Sequence, residues 1–210
     1  MSAFPSELNV VGLCGSLRAA SYNRAALRVA GELMPPGMRL RTLEFADLPF
    51  FDADLQARGW PPAVERLGAA IAEADGLLIA SPEYNFGVPA ALKNALDWLS
   101  RLPGTPLKGK PVAILGAATG PVGTARMQYD LRRVMHFVEA RVLLKPEIFI
   151  AHAAQKFDAA GVLVDEPTRG FMREQMKAFQ RWIVREQAAA RAESAFIAAQ
   201  EAAPTVAGCA

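Results

Sequence analysis

Short apolar segments of strand length alternate along this chain with longer segments of helical periodicity, and this order constrains the fold more than any other feature. Predicted strands cover residues 8–13, 38–45, 77–80, 112–115 and 142–150. The third is apolar at every position, as expected for a strand covered by helices on both faces. Because strands that alternate with helices form parallel sheets through right-handed crossovers, the sequence predicts an α/β fold.

The intervening segments favour helices on both faces of that sheet. Predicted helices cover residues 23–33, 63–74, 88–99, 127–138 and 168–185. In the third, apolar residues follow the three-four spacing of a single buried face. Pro146 interrupts the last strand and predicts an edge or a bulge there. Five strands with their helices match the flavodoxin-like variant of the doubly wound fold, with a five-stranded parallel sheet in the order 2-1-3-4-5.

The length of 210 residues fits one domain. We assign residues 1–187 to that domain and residues 188–210 to an Ala-rich C-terminal extension. The extension is predicted to continue the last helix as far as Pro204 and to be mobile beyond it.

Composition excludes several classes of function. The formal net charge is +2 and no basic stripe is visible, so we expect no nucleic-acid partner. The apolar runs are far shorter than the roughly 20 residues that span a bilayer, so we expect no membrane association. Cys14 and Cys209 lie near opposite ends and the N-terminus lacks the pattern of a signal peptide. Both observations favour the reducing cytoplasm.

The loop that follows the first strand is a candidate anion site. Ser16, Ser21 and Asn23 are hydrogen-bond donors and Arg18 adds a guanidinium, just before a helix whose N-terminus favours negative charge. An ordinary helix cap uses the same residue types, so this loop alone leaves a phosphate site and a cap as equal alternatives. Neither the nucleoside triphosphatase loop G-x-x-x-x-G-K-[ST] nor the dinucleotide fingerprint G-x-G-x-x-G is present.

The loop after the third strand, residues 81–89, is rich in aromatic, amide and glycine residues. Tyr84 and Phe86 can pack near a planar ring, and Gly87 permits a close backbone approach. A Pro- and Gly-bounded loop with ordinary aromatics is the alternative. The carboxyl ends of neighbouring parallel strands share one edge, so two such loops together favour a phosphorylated heterocycle. We expect a third loop, residues 116–123, to close over the other edge of the ring.

These motifs carry a family resemblance. Residues 15–24 read Gly-Ser-Leu-Arg-x-x-Ser-x-Asn-Arg, residues 82–89 read Pro-Glu-Tyr-Asn-Phe-Gly-Val-Pro, and residues 92–98 read Leu-Lys-Asn-Ala-Leu-Asp-Trp. Over residues 10–182 the chain closely resembles the NADPH-dependent FMN reductase family, which includes quinone, chromate and azo-dye reductases. The resemblance implies that the FMN phosphate is held by Ser16, Arg18, Ser21 and Asn23. It also implies that the flavin ring is lined by Pro82, Glu83, Tyr84, Asn85, Phe86 and Gly87.

The resemblance implies that hydride passes from NADPH or NADH through bound FMN to a small-molecule electron acceptor, such as a quinone, a flavin, chromate or an azo compound. The flavin supplies this chemistry, so no catalytic side chain and no metal is assigned. The alternative is a flavodoxin-type FMN-binding electron carrier without a substrate of its own. Such carriers are strongly acidic, whereas this chain is nearly neutral. An α/β hydrolase is disfavoured because G-x-S-x-G is missing.

A role in subunit contacts is one interpretation of three residues, Arg126, Tyr129 and Glu147. Related quinone and chromate reductases use similarly placed residues in subunit contacts that border the flavin. The resemblance therefore implies a homodimer or homotetramer, while ordinary solvated charge is an equal alternative for these residues.

Overall fold

The computed structural model describes residues 7–201 and contains a parallel sheet with helices on both faces. Its strands are β1 (Leu8–Cys14), β2 (Met38–Leu43), β3 (Gly76–Ala80), β4 (Pro111–Ala117), β5 (Arg141–Val142) and β6 (Ile148–Ile150). They follow the order β2-β1-β3-β4-β5, and β6 pairs with β4 farther along that strand than β5 does. The predicted flavodoxin-like order is confirmed.

The helices divide into two layers. Their bounds are α1 (Tyr22–Glu32), α2 (Ala53–Ala57), α3 (Pro62–Glu73), α4 (Ala90–Leu99), α5 (Ala125–Phe137), α6 (Ala153–Lys156) and α7 (Glu166–Glu201). Helices α1 and α7 pack in one apolar cluster, and α3, α4 and α5 pack in the other. The short helices α2 and α6 were not predicted because neither is long enough to show helical periodicity.

The two-residue period of a strand explains how one short sequence serves both layers. In β3, Leu77 and Ile79 face the α3–α5 layer, whereas Leu78 and Ala80 face α1 and α7. Every residue of β3 is buried, as its continuous apolar sequence predicted. The central strands are therefore enclosed, and only their ends reach the surface.

The predicted fifth strand is two short strands. β5 pairs with the start of β4, where Val112 is opposite Val142, and β6 pairs with its end, where Leu115 is opposite Ile148. Pro146 lies in the intervening segment and has no N–H to donate to a ladder. The interruption predicted from Pro146 is thus present, and the strand resumes in the same parallel direction.

Helix α7 runs past the predicted core range of 168–185 into the C-terminal extension, which was itself predicted to continue the helix. Its first half buries Met172, Met176, Phe179 and Ile183 against the sheet, and residues 188–201 are all exposed. The helix continues without packing because Ala-rich sequence has the highest helix propensity. The predicted helix end at Pro204, the mobile tail and Cys209 lie outside the described residues. Within residues 7–201, every helix is too short or too polar to cross a bilayer.

Candidate functional site

Three loops meet at the carboxyl edge of the sheet, after β1, β3 and β4. The strand ladder continues into the first two, since Gly15 N donates to the carbonyl of Ala80 (2.8 Å) and Ser81 N donates to that of Leu115 (3.1 Å). At this edge of a doubly wound sheet, ligands bind in the crevice that the loops leave. The loops therefore begin from fixed backbone positions.

Two glycines allow these loop beginnings to lie unusually close together. A Cβ on Gly15 would lie 2.8 Å from the Cβ of Ser81, and one on Gly116 would lie 2.9 Å from the Cβ of Thr124 and collide with the carbonyl oxygen of Ser81. Ser81 and Thr124 are completely buried at this junction. Neither residue was predicted from the sequence to belong to the site. The feature that could have indicated them is the glycine that each contacts, Gly15 after β1 for Ser81 and Gly116 near the end of β4 for Thr124.

The loop after β1 ends in a capped helix. Ser21 is the N-cap of α1, and its Oγ accepts from the backbone N–H groups of Asn23 (3.2 Å) and Arg24 (3.4 Å). The Oγ of Ser16 lies 3.4 Å from the hydroxyl of Tyr84, within hydrogen-bond distance. The structure thus brings the predicted phosphate loop and the predicted ring loop into direct contact.

Asn23 has a different position from the other predicted phosphate residues. Its Nδ2 donates to the carbonyl of Ala117 (2.9 Å), and its Oδ1 accepts from the Ala117 N–H (2.8 Å). The side chain is almost fully buried. Both ends of the carboxamide therefore join α1 to the end of β4, so this side chain fixes the start of α1 relative to the sheet.

Arg18 lies at the exposed outer side of the same loop. Its guanidinium donates to the carbonyl of Ala20 and lies 5.8 Å from the centroid of the Tyr22 ring. Its backbone N–H donates to Ser16 Oγ (3.4 Å). The side chain is thus near the loop and free of any ion pair among the described residues.

The loop after β3 forms a tight turn in a strained conformation. Tyr84 and Gly87 exchange two backbone hydrogen bonds, with N···O distances of 3.0 and 3.3 Å. Asn85 and Phe86 between them have φ angles of 49° and 70°, the left-handed pair of a type I′ turn. Positive φ is uncommon for a bulky aromatic residue, and such strain is concentrated at functional sites.

This turn leaves two aromatic side chains open to solvent. Tyr84 is 52% exposed and Phe86 is 64% exposed, whereas Pro82 before them in the loop is buried. Aromatic faces at the mouth of a crevice are suited to packing against a planar ring. The structure therefore places the predicted ring-binding aromatics where a flat ligand can reach them.

Glu83 supports the turn through α5. Its Oε1 accepts from Nε of Arg126 (2.6 Å) and its Oε2 accepts from the backbone N–H of Met127 (3.1 Å) in the first turn of α5. The Arg126 guanidinium in turn stacks on Phe86, 3.7 Å from the ring centroid. The Glu83 carboxylate is only 5% exposed. It therefore holds α5 and Arg126 against the turn.

Cys14 is not placed for nucleophilic chemistry. The thiol is buried, and its Sγ donates to the carbonyl of Ser16 (3.4 Å). Burial raises the pKa of the Cys14 thiol above its usual value, more than the nearby hydrogen bonds lower it. A neutral thiol is a poor nucleophile, so Cys14 acts as a small core residue.

The donor set fits FMN. Hydroxyl groups, an arginine and the N-terminus of α1 are suited to a phosphate, and the exposed aromatic turn beside them is suited to a tricyclic ring. Phosphate contacts and ring contacts would come from two loops that already touch through Ser16 and Tyr84.

Comparison with known proteins agrees with this fit. Residues 8–155 match the model of the NADPH-dependent FMN reductase family. The chain is 47% identical over 179 residues to an NAD(P)H-dependent FMN reductase of Pseudomonas aeruginosa, covering 85% of this chain and 97% of that protein. It is 43% identical over 182 residues to a quinone reductase of Escherichia coli K12, with the same coverage.

Solved structures give the same result. FerB, a flavoenzyme NAD(P)H:(acceptor) oxidoreductase from Paracoccus denitrificans, superposes with a TM-score of 0.78 at 34% identity, covering 85% of this chain and 98% of that one. A flavodoxin from Streptococcus pneumonia shares the fold alone, with a TM-score of 0.53 at 14% identity. On the family match and these identities, the chain belongs to the NADPH-dependent FMN reductase family.

Proposed function

We propose that the protein is an FMN-dependent NAD(P)H oxidoreductase that reduces small acceptors such as quinones, flavins, chromate or azo compounds. The observation that carries this proposal is the contact of Ser16 with Tyr84, which joins an anion-binding loop to an exposed aromatic turn. When bound, FMN supplies the hydride chemistry. The named activities of the relatives, FMN reductase and quinone reductase, support the enzyme over an electron carrier.

The phosphate is assigned to the loop before α1. Ser16 and Ser21 offer hydroxyl groups, Arg18 offers a charged fork, and the N-terminus of α1 offers a favourable dipole. Asn23 contributes by holding α1 against β4 through its two bonds to Ala117.

The ring is assigned to the turn after β3. Tyr84 and Phe86 pack against the ring, while Asn85 and Gly87, as parts of the tight turn, let the backbone approach it closely. Pro82 and Glu83 support the turn from below, and Arg126 limits the orientations of Phe86. No side chain has to donate or accept a proton, so the residues serve to bind, orient and limit access of water.

Replacing Arg18 with alanine is expected to weaken FMN binding by about ten- to hundredfold, because a hydrogen bond to a charged group contributes about 1.5–3 kcal/mol. The measurement is FMN titration of the flavin-free protein, with circular dichroism to establish that the variant is folded. Arg39→Ala, an exposed arginine on β2, is the control and is expected to bind FMN normally. Unaltered FMN affinity in Arg18→Ala would refute the phosphate assignment.

Assembly is part of the proposal. We infer a homodimer or homotetramer in which α5 lies at a subunit contact, since Tyr129 is 55% exposed and Arg126 is 45% exposed along one side of this helix. Glu147 follows α5 in the chain and forms ion pairs with Lys145 and with Arg132 of this helix. We also propose a cytoplasmic location, which is supported by the cysteine usage of the sequence.

Arg126→Ala is expected to shift the protein toward smaller species, because it removes a charged contact and releases Phe86. Multi-angle light scattering at several protein concentrations measures this shift. The control is Arg66→Ala on α3, which removes an exposed arginine that pairs with Asp47 and does not lie on α5. An unchanged mass for Arg126→Ala over the whole concentration range would contradict the role of this residue in assembly.

A further inference from the structure

Helix α5 presents two opposite charges to the turn after β3. Arg126 and Asp130 are four residues apart, so they lie on the same side of the helix. The Arg126 guanidinium stacks on Phe86 of the turn, 3.7 Å from the ring centroid. A Cβ on Gly87, at the end of the turn, would lie 3.9 Å from Oδ2 of Asp130. Both charged groups therefore border the turn to which the flavin ring is assigned.

The positive charge of Arg126 is closely compensated. Its Nε and Nη2 lie 2.6 and 2.5 Å from Oε1 of Glu83. The Glu83 carboxylate is only 5% exposed, so little water separates the two groups. Charge-assisted hydrogen bonds of this length are strong, and the opposite charges of so close a pair largely cancel at a distance. Arg126 therefore contributes little net charge to a molecule bound at the turn.

The negative charge of Asp130 is compensated much less closely. Within residues 7–201 its ion-pair partner is Arg133, whose Nη2 lies 3.6 Å from Oδ1, the other carboxylate oxygen from the one beside Gly87. Arg133 is 84% exposed and lines the groove between α4 and α5. Exposed pairs at such distances are weak and are screened by water. Oδ2 of Asp130 thus presents a negative charge to the turn.

This charge lies beside apolar surface. The rings of Tyr84 and Phe86 are more than half exposed and offer contact to a flat, uncharged molecule. Like charges a few ångströms apart repel each other even in water, and the repulsion grows where protein replaces part of the water. An anion that approaches the turn therefore meets a repulsion from Asp130 that an uncharged aromatic molecule does not.

We propose that Asp130 makes the site selective for uncharged acceptors, such as quinones, over anionic ones, such as chromate or sulfonated azo compounds. The proposal rests on the function proposed above and narrows its class of acceptors. In that reaction a quinone takes up a hydride and a proton to give the hydroquinone, and NADPH is oxidised to NADP+. Asp130 takes no part in these transfers: it determines specificity through its charge.

The test compares Asp130→Asn, which removes the charge and keeps the shape of the side chain, with Glu174→Gln on α7. Glu174 is a matched control because it is also an exposed acid paired with a cation three residues later, Lys177, but it lies in the other helix layer. Calorimetric titration of the FMN-loaded protein uses naphthalenesulfonate and naphthalenesulfonamide, an uncharged molecule of nearly the same shape. Turnover of chromate and of naphthoquinone gives KM and kcat for an anionic and an uncharged acceptor.

In Asp130→Asn, the affinity for the sulfonate is expected to rise about fivefold relative to the affinity for the sulfonamide. The ratio of KM for chromate to KM for naphthoquinone is expected to fall by about fivefold or more, while kcat changes in parallel for the two acceptors. Glu174→Gln is expected to keep both wild-type ratios. Added salt is expected to reduce the difference between Asp130→Asn and the wild type, because it screens exposed charges.

An unchanged ratio of the two affinities in Asp130→Asn would overturn the proposal, since a charge acts only on the charged probe. An equal shift in Glu174→Gln would also overturn it, because the effect would then come from the net charge of the whole protein. If the protein reduces naphthoquinone but fails these comparisons, only this proposal is wrong. If it retains no FMN, the proposed function itself is contradicted.

Discussion

Replacing Asn23 with alanine is expected to lower the free energy of unfolding by about 2–5 kcal/mol. The change leaves both the N–H and the carbonyl of Ala117 without their side-chain partners. Ala117 is only 2% exposed, so water does not reach these groups readily. Each buried polar group left unpaired costs about 1–3 kcal/mol. Urea unfolding followed by circular dichroism measures the loss as a lower midpoint.

The chain provides a matched control in Asn94 on α4. This carboxamide also makes two backbone hydrogen bonds, accepting from Phe51 N (2.7 Å) and donating to the carbonyl of Pro49 (2.9 Å). It is only half-buried, so water can replace its bonds, and we expect a loss of about 1 kcal/mol for Asn94→Ala. If the two variants were equally stable, burial would not be the reason that Asn23 matters.

Gly116→Ala is expected to destabilise the protein by about 1–3 kcal/mol, the usual cost of overpacking a closed interior. The added methyl group would collide with the carbonyl oxygen of Ser81 and with the side chain of Thr124. Because a backbone atom is among the obstacles, the ends of β3 and β4 have to separate. The loops that β3 and β4 carry then move, so weaker FMN binding is expected in the same variant.

Gly170→Ala on α7 is the control, since an added Cβ there meets no heavy atom within 4 Å. In a helix interior, alanine is favoured over glycine by about 0.5–1 kcal/mol, so this variant is expected to gain stability and to bind FMN normally. Unfolding midpoints and FMN titrations of both variants provide the comparison. A Gly116→Ala protein as stable as the wild type, with unchanged FMN affinity, would contradict the close packing of the loop ends.

The sheet could be predicted because its signals are local. A continuous apolar run such as residues 77–80 and the helical spacing around it depend only on neighbouring positions. The division of the last strand was predictable only as an interruption at Pro146, since its resumption at Ile148 depends on pairing with β4. The first part of α7 could be predicted from its buried face, whereas its continuation through residues 188–201 was predicted from Ala-rich composition alone, since those residues are all exposed.

The meeting of the two loops at one edge of the sheet was also predictable, but the hydrogen-bond partners of individual side chains were not. Asn23 bonds to Ala117, 94 residues away in sequence, and Glu83 bonds to Arg126, 43 residues away. Such pairs depend on the closeness of strand ends, which no local pattern encodes. Ser81 and Thr124 were missed for the same reason, because their importance lies in contacts with glycines on other strands.

The most direct test of the proposed function is the absorbance spectrum of the purified protein, recorded before and after anaerobic addition of NADPH. We expect a yellow protein with bound FMN whose visible absorbance bleaches rapidly with NADPH and returns when a quinone is added. A flavin that stays oxidised would identify an electron carrier. A folded protein that is colourless and takes up no added FMN would contradict the assignment of an FMN site to the loops after β1 and β3.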